Sequence, residues 1–96
     1  MPNLLRSKYR TKDGTFDYQF LFEEQMNGTW LAYIERQPPY RGRSEGANET
    51  HRLTSSDGRK YICWTNPPQS LEGMRTVAAL WADSTQTYIR TGVFPT

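Results

Sequence analysis

Three dipeptides punctuate the first two-thirds of this chain: Asp13-Gly14, Asn27-Gly28 and Asp57-Gly58. Each stands between runs rich in Tyr, Phe, Trp, Ile, Leu and Thr. An Asx-Gly pair in that setting is a strong hairpin signal, because a two-residue type I′ turn needs positive φ at both central positions. Three such turns in one short chain dictate an antiparallel sheet. Taken as two-residue turns, they predict five strands at about residues 4–11, 15–25, 29–37, 50–56 and 59–65.

The remainder reads as a helix. Pro67 and Pro68 end the fifth strand, Ser70 is placed to cap a helix start, and Glu72 falls in the first turn. Met74, Val77, Ala78, Trp81, Thr85, Tyr88 and Ile89 recur at spacings of three and four, which predicts an amphipathic helix over about 70–91. Gly92 supplies its stop. The predicted fold class is therefore α+β, within a single domain 1–96: an antiparallel β-meander of four to five strands with one long C-terminal helix packed across one face. This element order is similar to that of the Whirly and Pur-repeat families of single-stranded nucleic-acid binders. The resemblance is one of topology and carries no residue across.

Composition narrows the function classes. Three Trp, six Tyr and four Phe supply a core that disordered chains lack. No apolar run approaches the roughly 20 residues of a membrane span, and no apolar segment follows the basic N-terminal residues as in a signal peptide. The single cysteine, Cys63, cannot close an internal disulfide, so a cytoplasmic location with no membrane partner is expected. No phosphate-binding glycine loop or nucleophile elbow occurs, and His51 and Cys63 lack the companions of a zinc site. The expectation is a non-enzymatic protein with no cofactor and no metal.

The turns also imply a register. Tyr9 would face Tyr18, Leu5 would face Phe22, and Phe22 would face Tyr33. One face then gathers Leu5, Tyr9, Phe16, Tyr18, Phe20, Phe22, Leu31 and Tyr33 as a bed for the helix. The other carries an apolar strip of Leu21, Trp30, Ala32 and Ile34, which predicts a homodimer interface. In the same register Cys63 faces Arg52 and His51 faces Trp64, on opposite faces, so the two cannot act as a nucleophile and its base.

Charge is segregated although the net charge is only +2. Residues 1–12 carry four basic groups and no acid, 13–35 carry five acids and no base, and 36–60 carry six bases against three acids. Arg6, Lys8 and Arg10 alternate along the first strand and could track a phosphate backbone. Lys and Arg on an edge strand also block edge-to-edge pairing, with no ligand needed. The stretch "QPPYRGR", residues 37–43, opens the long connection before the fourth strand. Tyr40, Arg41 and Arg43 there, with Arg52 beyond, combine stacking with charge as single-strand binders do. A solvated connector would look the same, since Glu45 and Glu49 follow. The sequence therefore reads as a small binding protein leaning to an anionic ligand such as nucleic acid. The alternative is a protein-interaction or regulatory module that uses the apolar sheet face and no nucleic acid.

Overall fold

All three Asx-Gly pairs turn the chain, but through a different backbone from the one expected. The computed structural model describes residues 3–95. Gly14, Gly28 and Gly58 donate their amides to the carbonyls of Thr11, Gln25 and Ser55 at 2.8, 2.9 and 2.9 Å. These three glycines are left-handed, whereas Asp13, Asn27 and Asp57 are not among the positive-φ residues. Each turn is thus type I followed by a left-handed glycine. The Asx side chains enforce it by accepting from the residue two positions on. Asn27 Oδ1 takes the Thr29 amide at 3.0 Å and its hydroxyl at 2.7 Å. Asp13 Oδ1 does the same for Thr15, at 3.0 and 2.7 Å.

Loop length then decides which face each strand presents. The first loop closes through Thr11 N to Phe16 O at 3.1 Å, leaving four residues between, an even number like the expected two. β1 (Leu4–Arg10) and β2 (Asp17–Glu24) accordingly pair Tyr9 with Tyr18 and Leu5 with Phe22, as the sequence predicts. The second loop closes through Gln25 N to Thr29 O at 2.7 Å, leaving three residues. β3 (Trp30–Arg36) therefore slips by one, pairing Phe22 with Ala32 and Leu21 with Tyr33.

A one-residue slip turns a whole strand over. Trp30 and Ala32, 8% and 0% exposed, belong to the core beneath the helix, and Ile34 packs against it. The predicted strip of Leu21, Trp30, Ala32 and Ile34 is not assembled: of the four, Leu21 alone lies on the face away from the helix. Leu31 and Tyr33 take the places assigned to Trp30 and Ala32.

Only the first three strands run in meander order, because the sheet order is β1-β2-β3-β5-β4. The chain leaving β3 passes through a short helix, α1 (Ala47–Thr50), and reaches the far edge before β4 (Arg52–Thr54) begins. β5 (Lys60–Ile62) then returns into the gap and pairs Tyr61 with Tyr33. The buried Trp81 indole N–H holds this connection by donating to the Thr50 carbonyl at 3.0 Å.

The C-terminal helix forms as its pattern predicts: α2 spans Leu71–Thr91. Ser70 Oγ accepts the Gly73 amide at 3.0 Å, and left-handed Gly92 closes the far end on the Tyr88 carbonyl at 2.7 Å. Met74, Val77, Ala78, Trp81, Thr85 and Tyr88 are buried against the sheet. Trp81 meets Tyr18 and Phe20 edge-on at 5.8 and 6.2 Å, the arrangement ring quadrupoles favour. Among the described residues, no helix is long and apolar enough to cross a membrane.

Candidate anion-binding cleft

The segment 37–43 is anchored to the protein rather than held out from it. Tyr40 is only 4% exposed; its ring packs edge-on against Tyr88 at 5.9 Å. The Arg52 guanidinium lies 4.9 Å over the same ring, a cation–π contact that completes the burial. Burial pushes the Tyr40 phenol above its ordinary pKa. The hydroxyl makes no hydrogen bond, and neighbouring Gln37 instead accepts from Arg52 at 3.0 Å. Arg52 also pairs with Glu45 at 3.3 Å. Tyr40 and Arg52, expected as ligand contacts, therefore hold the connection in place.

Arg41 and Gly42 make the type I′ turn that the Asx-Gly pairs do not. Their φ values are 55 and 88°, and Arg43 N donates to Tyr40 O at 3.2 Å. This turn sends the two arginines in opposite directions. Arg43 folds back on the end of α2, donating Nε to Ile89 O and Nη2 to Arg90 O, both at 3.2 Å. It caps carbonyls that have no partner within the helix and sits at the negative end of its dipole. Arg41 is exposed and lines a cleft of about 470 Å³.

Three distant parts of the chain build this cleft. Phe16, Pro38 and Ile89 supply apolar walls, and Arg41 and Arg90 supply charge. An adjoining cavity of about 230 Å³ shares Arg90 and adds Lys12. The Arg36 guanidinium lies 5.2 Å from the centre of the Phe16 ring. Among the described residues, none of Lys12, Arg36, Arg41 and Arg90 has an acid partner.

The acceptors of the cleft, by contrast, are committed. Asp13 takes hydroxyls from Thr11 and Thr15 at 2.6 and 2.7 Å, the Thr15 amide at 3.0 Å and the Gln86 amide at 3.3 Å. Those donors, the Thr11 hydroxyl first, hold its carboxyl well below the usual carboxylate range. Gln86 Oε1 accepts from buried Tyr18 at 2.7 Å, while its Nε2 also donates to Thr15 at 2.9 Å. Asp83 accepts from the Tyr9 hydroxyl at 2.7 Å and the Lys12 amide at 2.9 Å. The hydrogen bond to Asp83 pushes the Tyr9 phenol up to about 12.

The first-strand row is different. Arg6 donates to both carboxylate oxygens of Glu35, at 2.6 and 2.9 Å, and Arg10 pairs with Asp17 at 3.0 Å. Lys8 is left as the one cation of the row without an acid partner among the described residues. Of the seven ligand candidates read from the sequence, only Arg41 reaches the cleft. Phe16 and Arg90, which join it there, and Lys12 in the adjoining cavity carry no local signal for this grouping, because only the hairpin docking on α2 brings them together.

A slip of the same size arises separately in the third hairpin, whose three-residue loop closes through Ser55 N to Arg59 O at 2.8 Å. It sets His51 opposite Cys63, contrary to the sequence reading: Cys63 N donates to His51 O at 2.9 Å. The pair is still no dyad. His51, itself left-handed, stacks its ring on Phe94 at 4.1 Å and makes no hydrogen bond to the thiol. Among the described residues, no three His, Cys, Asp or Glu side chains gather as a metal site would require.

A second, more apolar depression of about 290 Å³ lies beside β3 and β5, where core residues Trp30, Ile62 and Met74 and the open-face residues Leu31 and Tyr61 line it together with Leu53 and Trp64. On the open face, Arg59, lying 3.8 Å over the Tyr33 ring, pairs with Asp57 at 2.8 Å. In comparisons with protein-family models, curated proteins and solved structures, the chain matches none.

Proposed function

We propose that this protein is a non-enzymatic binding domain that takes an anionic ligand of the nucleic-acid class, a single strand or its components, in the cleft beside Arg41 and Arg90. The observation that carries the reading is the convergence of cations without acid partners on one concave surface with apolar walls. Arg41 and Arg90 border the cleft and Lys12 its adjoining cavity, whereas the cations of the first strand are mostly paired across the sheet. Partnerless cations around low-dielectric walls concentrate positive potential and attract anions. The backbone adds support. A left-handed non-glycine residue costs roughly 1–2 kcal/mol, and Arg41 bears that cost while its side chain has no acid partner among the described residues.

A salt series with a labelled single-stranded oligonucleotide tests this. Arg41→Ala and Arg90→Ala should each flatten the dependence of log K on log salt by about 0.7, the value for one lost single-strand phosphate contact. Arg6→Ala should leave the slope unchanged. Wild-type protein with no affinity at low salt overturns the proposal.

A second reading is favoured by the apolar depression beside β3 and β5. Leu53 and Trp64, 38% and 42% exposed, flank it. A second copy of this chain is the occupant we propose for it, because its lining carries no charge that would make two like surfaces repel. Its measure is solution mass: a wild-type dimer that Trp64→Ser converts to monomer supports it, and a wild-type monomer at high concentration removes it.

A further inference from the structure

We infer that the cleft recognises one nucleotide-sized unit by a terminal phosphate, rather than tracking a length of strand. This rests on the anion reading above and narrows it.

The first ground is the layout of charge. Strand-tracking proteins spread cations along a groove that covers roughly 4–16 nucleotides per domain. Here the one linear row, Arg6 to Arg10, is bonded to Glu35 and Asp17. The partnerless cations instead meet at a point: Arg90 borders both cavities, Arg41 the larger and Lys12 the smaller. A volume of about 470 Å³ suits one small ligand and not several stacked bases.

The second ground is hydrogen-bond chemistry. Arg41, Arg90 and Lys12 have donors to offer, while Asp13 and Gln86 are already engaged. A ligand must therefore bring acceptors, and would find few for its own donors. That disfavours polyols, and the three cations outnumber the two carboxylates, Asp13 and Asp83, that an amine would need. A phosphate monoester fits, with three acceptor oxygens and a charge near −1.5 to −2, whereas a backbone diester offers a single charge. Phe16, Pro38 and Ile89 then leave an apolar wall for a planar group beside the phosphate.

Adenosine 5′-monophosphate, adenosine, inorganic phosphate and a single-stranded 10-mer with and without a 5′-phosphate are suitable probes, compared by calorimetric titration at low salt. The monophosphate should bind about tenfold or more tighter than adenosine or phosphate alone, because a charge-assisted bond is worth about one decade. Arg41→Ala and Arg90→Ala should each weaken it by about tenfold, with unchanged thermal melting. A 5′-phosphorylated 10-mer that outbinds the free monophosphate assigns the ligand to strand ends, and equal affinity assigns it to free nucleotides. Equal binding of adenosine and its monophosphate overturns the inference. So does tight, Arg41-dependent binding of the unphosphorylated 10-mer that the monophosphate does not displace, although the anion reading then stands. Failure of every probe at low salt removes both.

Discussion

Two basic regions of this molecule look alike in sequence and differ in space. Along β1, Arg6, Lys8 and Arg10 line one side of a strand, and the neighbouring strands meet them with Glu35 and Asp17. At the cleft and its adjoining cavity, Lys12, Arg41 and Arg90 come from three separate segments and lie beside acids that are hydrogen-bonded to neutral donors. Regular spacing therefore marks a row of cations, but only the residues across the sheet determine whether the row has a field. Around the cleft and its neighbour three cations, Lys12, Arg41 and Arg90, face two carboxylates, Asp13 and Asp83. The bonds of those carboxylates to neutral donors dock the first hairpin on α2 without cancelling their charge, so the positive excess is a single charge.

The sharpest way to break this comparison is through Tyr40. If residues 37–43 were a free ligand-binding arm, Tyr40→Ala would leave stability unchanged. The buried ring instead predicts a loss of about 3 kcal/mol or more, the usual cost of truncating a core aromatic, read by chemical denaturation. Tyr40→Phe should be neutral or slightly stabilising, since its buried hydroxyl has no partner to lose.

Next in size is the contrast within Arg-Gly-Arg. Arg43→Ala removes two bonds to the end of α2 and should cost about 1 kcal/mol of stability. It should leave anion binding intact. Arg41→Gly should do the reverse. Relief of the left-handed backbone offsets the added chain entropy of glycine, so stability should be unchanged or rise by up to about 1 kcal/mol while oligonucleotide binding falls. A variant of Arg41 that loses stability instead would assign that residue a structural role.

These contrasts show what the sequence could and could not convey. The helix was legible because its signals are local: Ser70 caps it, Gly92 stops it, and a three-four spacing buries Met74 through Tyr88. The hairpins were legible as hairpins, but Asx-Gly suits both a type I′ turn and a type I turn with a left-handed glycine. The difference of one residue exchanged Trp30, Ala32 and Ile34 for Leu31 and Tyr33. A signal for the correct face was present in β3 itself, where Trp30, Ala32 and Ile34 are a more apolar set than Leu31, Tyr33 and Glu35. The cleft was mostly illegible. Arg41 and Arg43 are indistinguishable until the end of α2 arrives beside one of them, and Phe16 and Arg90 are more than seventy residues apart.

The smallest expected effect concerns the neutralised row itself. Hydrogen bonding to Arg6 holds the Glu35 carboxyl below its usual range in the folded protein. The folded state thus binds fewer protons at Glu35 than the unfolded state does, so this pair adds stability above the ordinary carboxylate pKa of about 4.3. That contribution is lost as pH falls through the lowered folded value. Glu35→Gln should accordingly be less stable than wild type at neutral pH, with the difference closing in acid. The same substitution releases Arg6 on the open face and should steepen the salt dependence of oligonucleotide binding, while Arg41→Ala still removes its own contact's share of the slope. If Glu35→Gln changes neither the acid limb of stability nor the salt slope, the pairing does not mask the row, and the contrast between the two basic regions needs another cause.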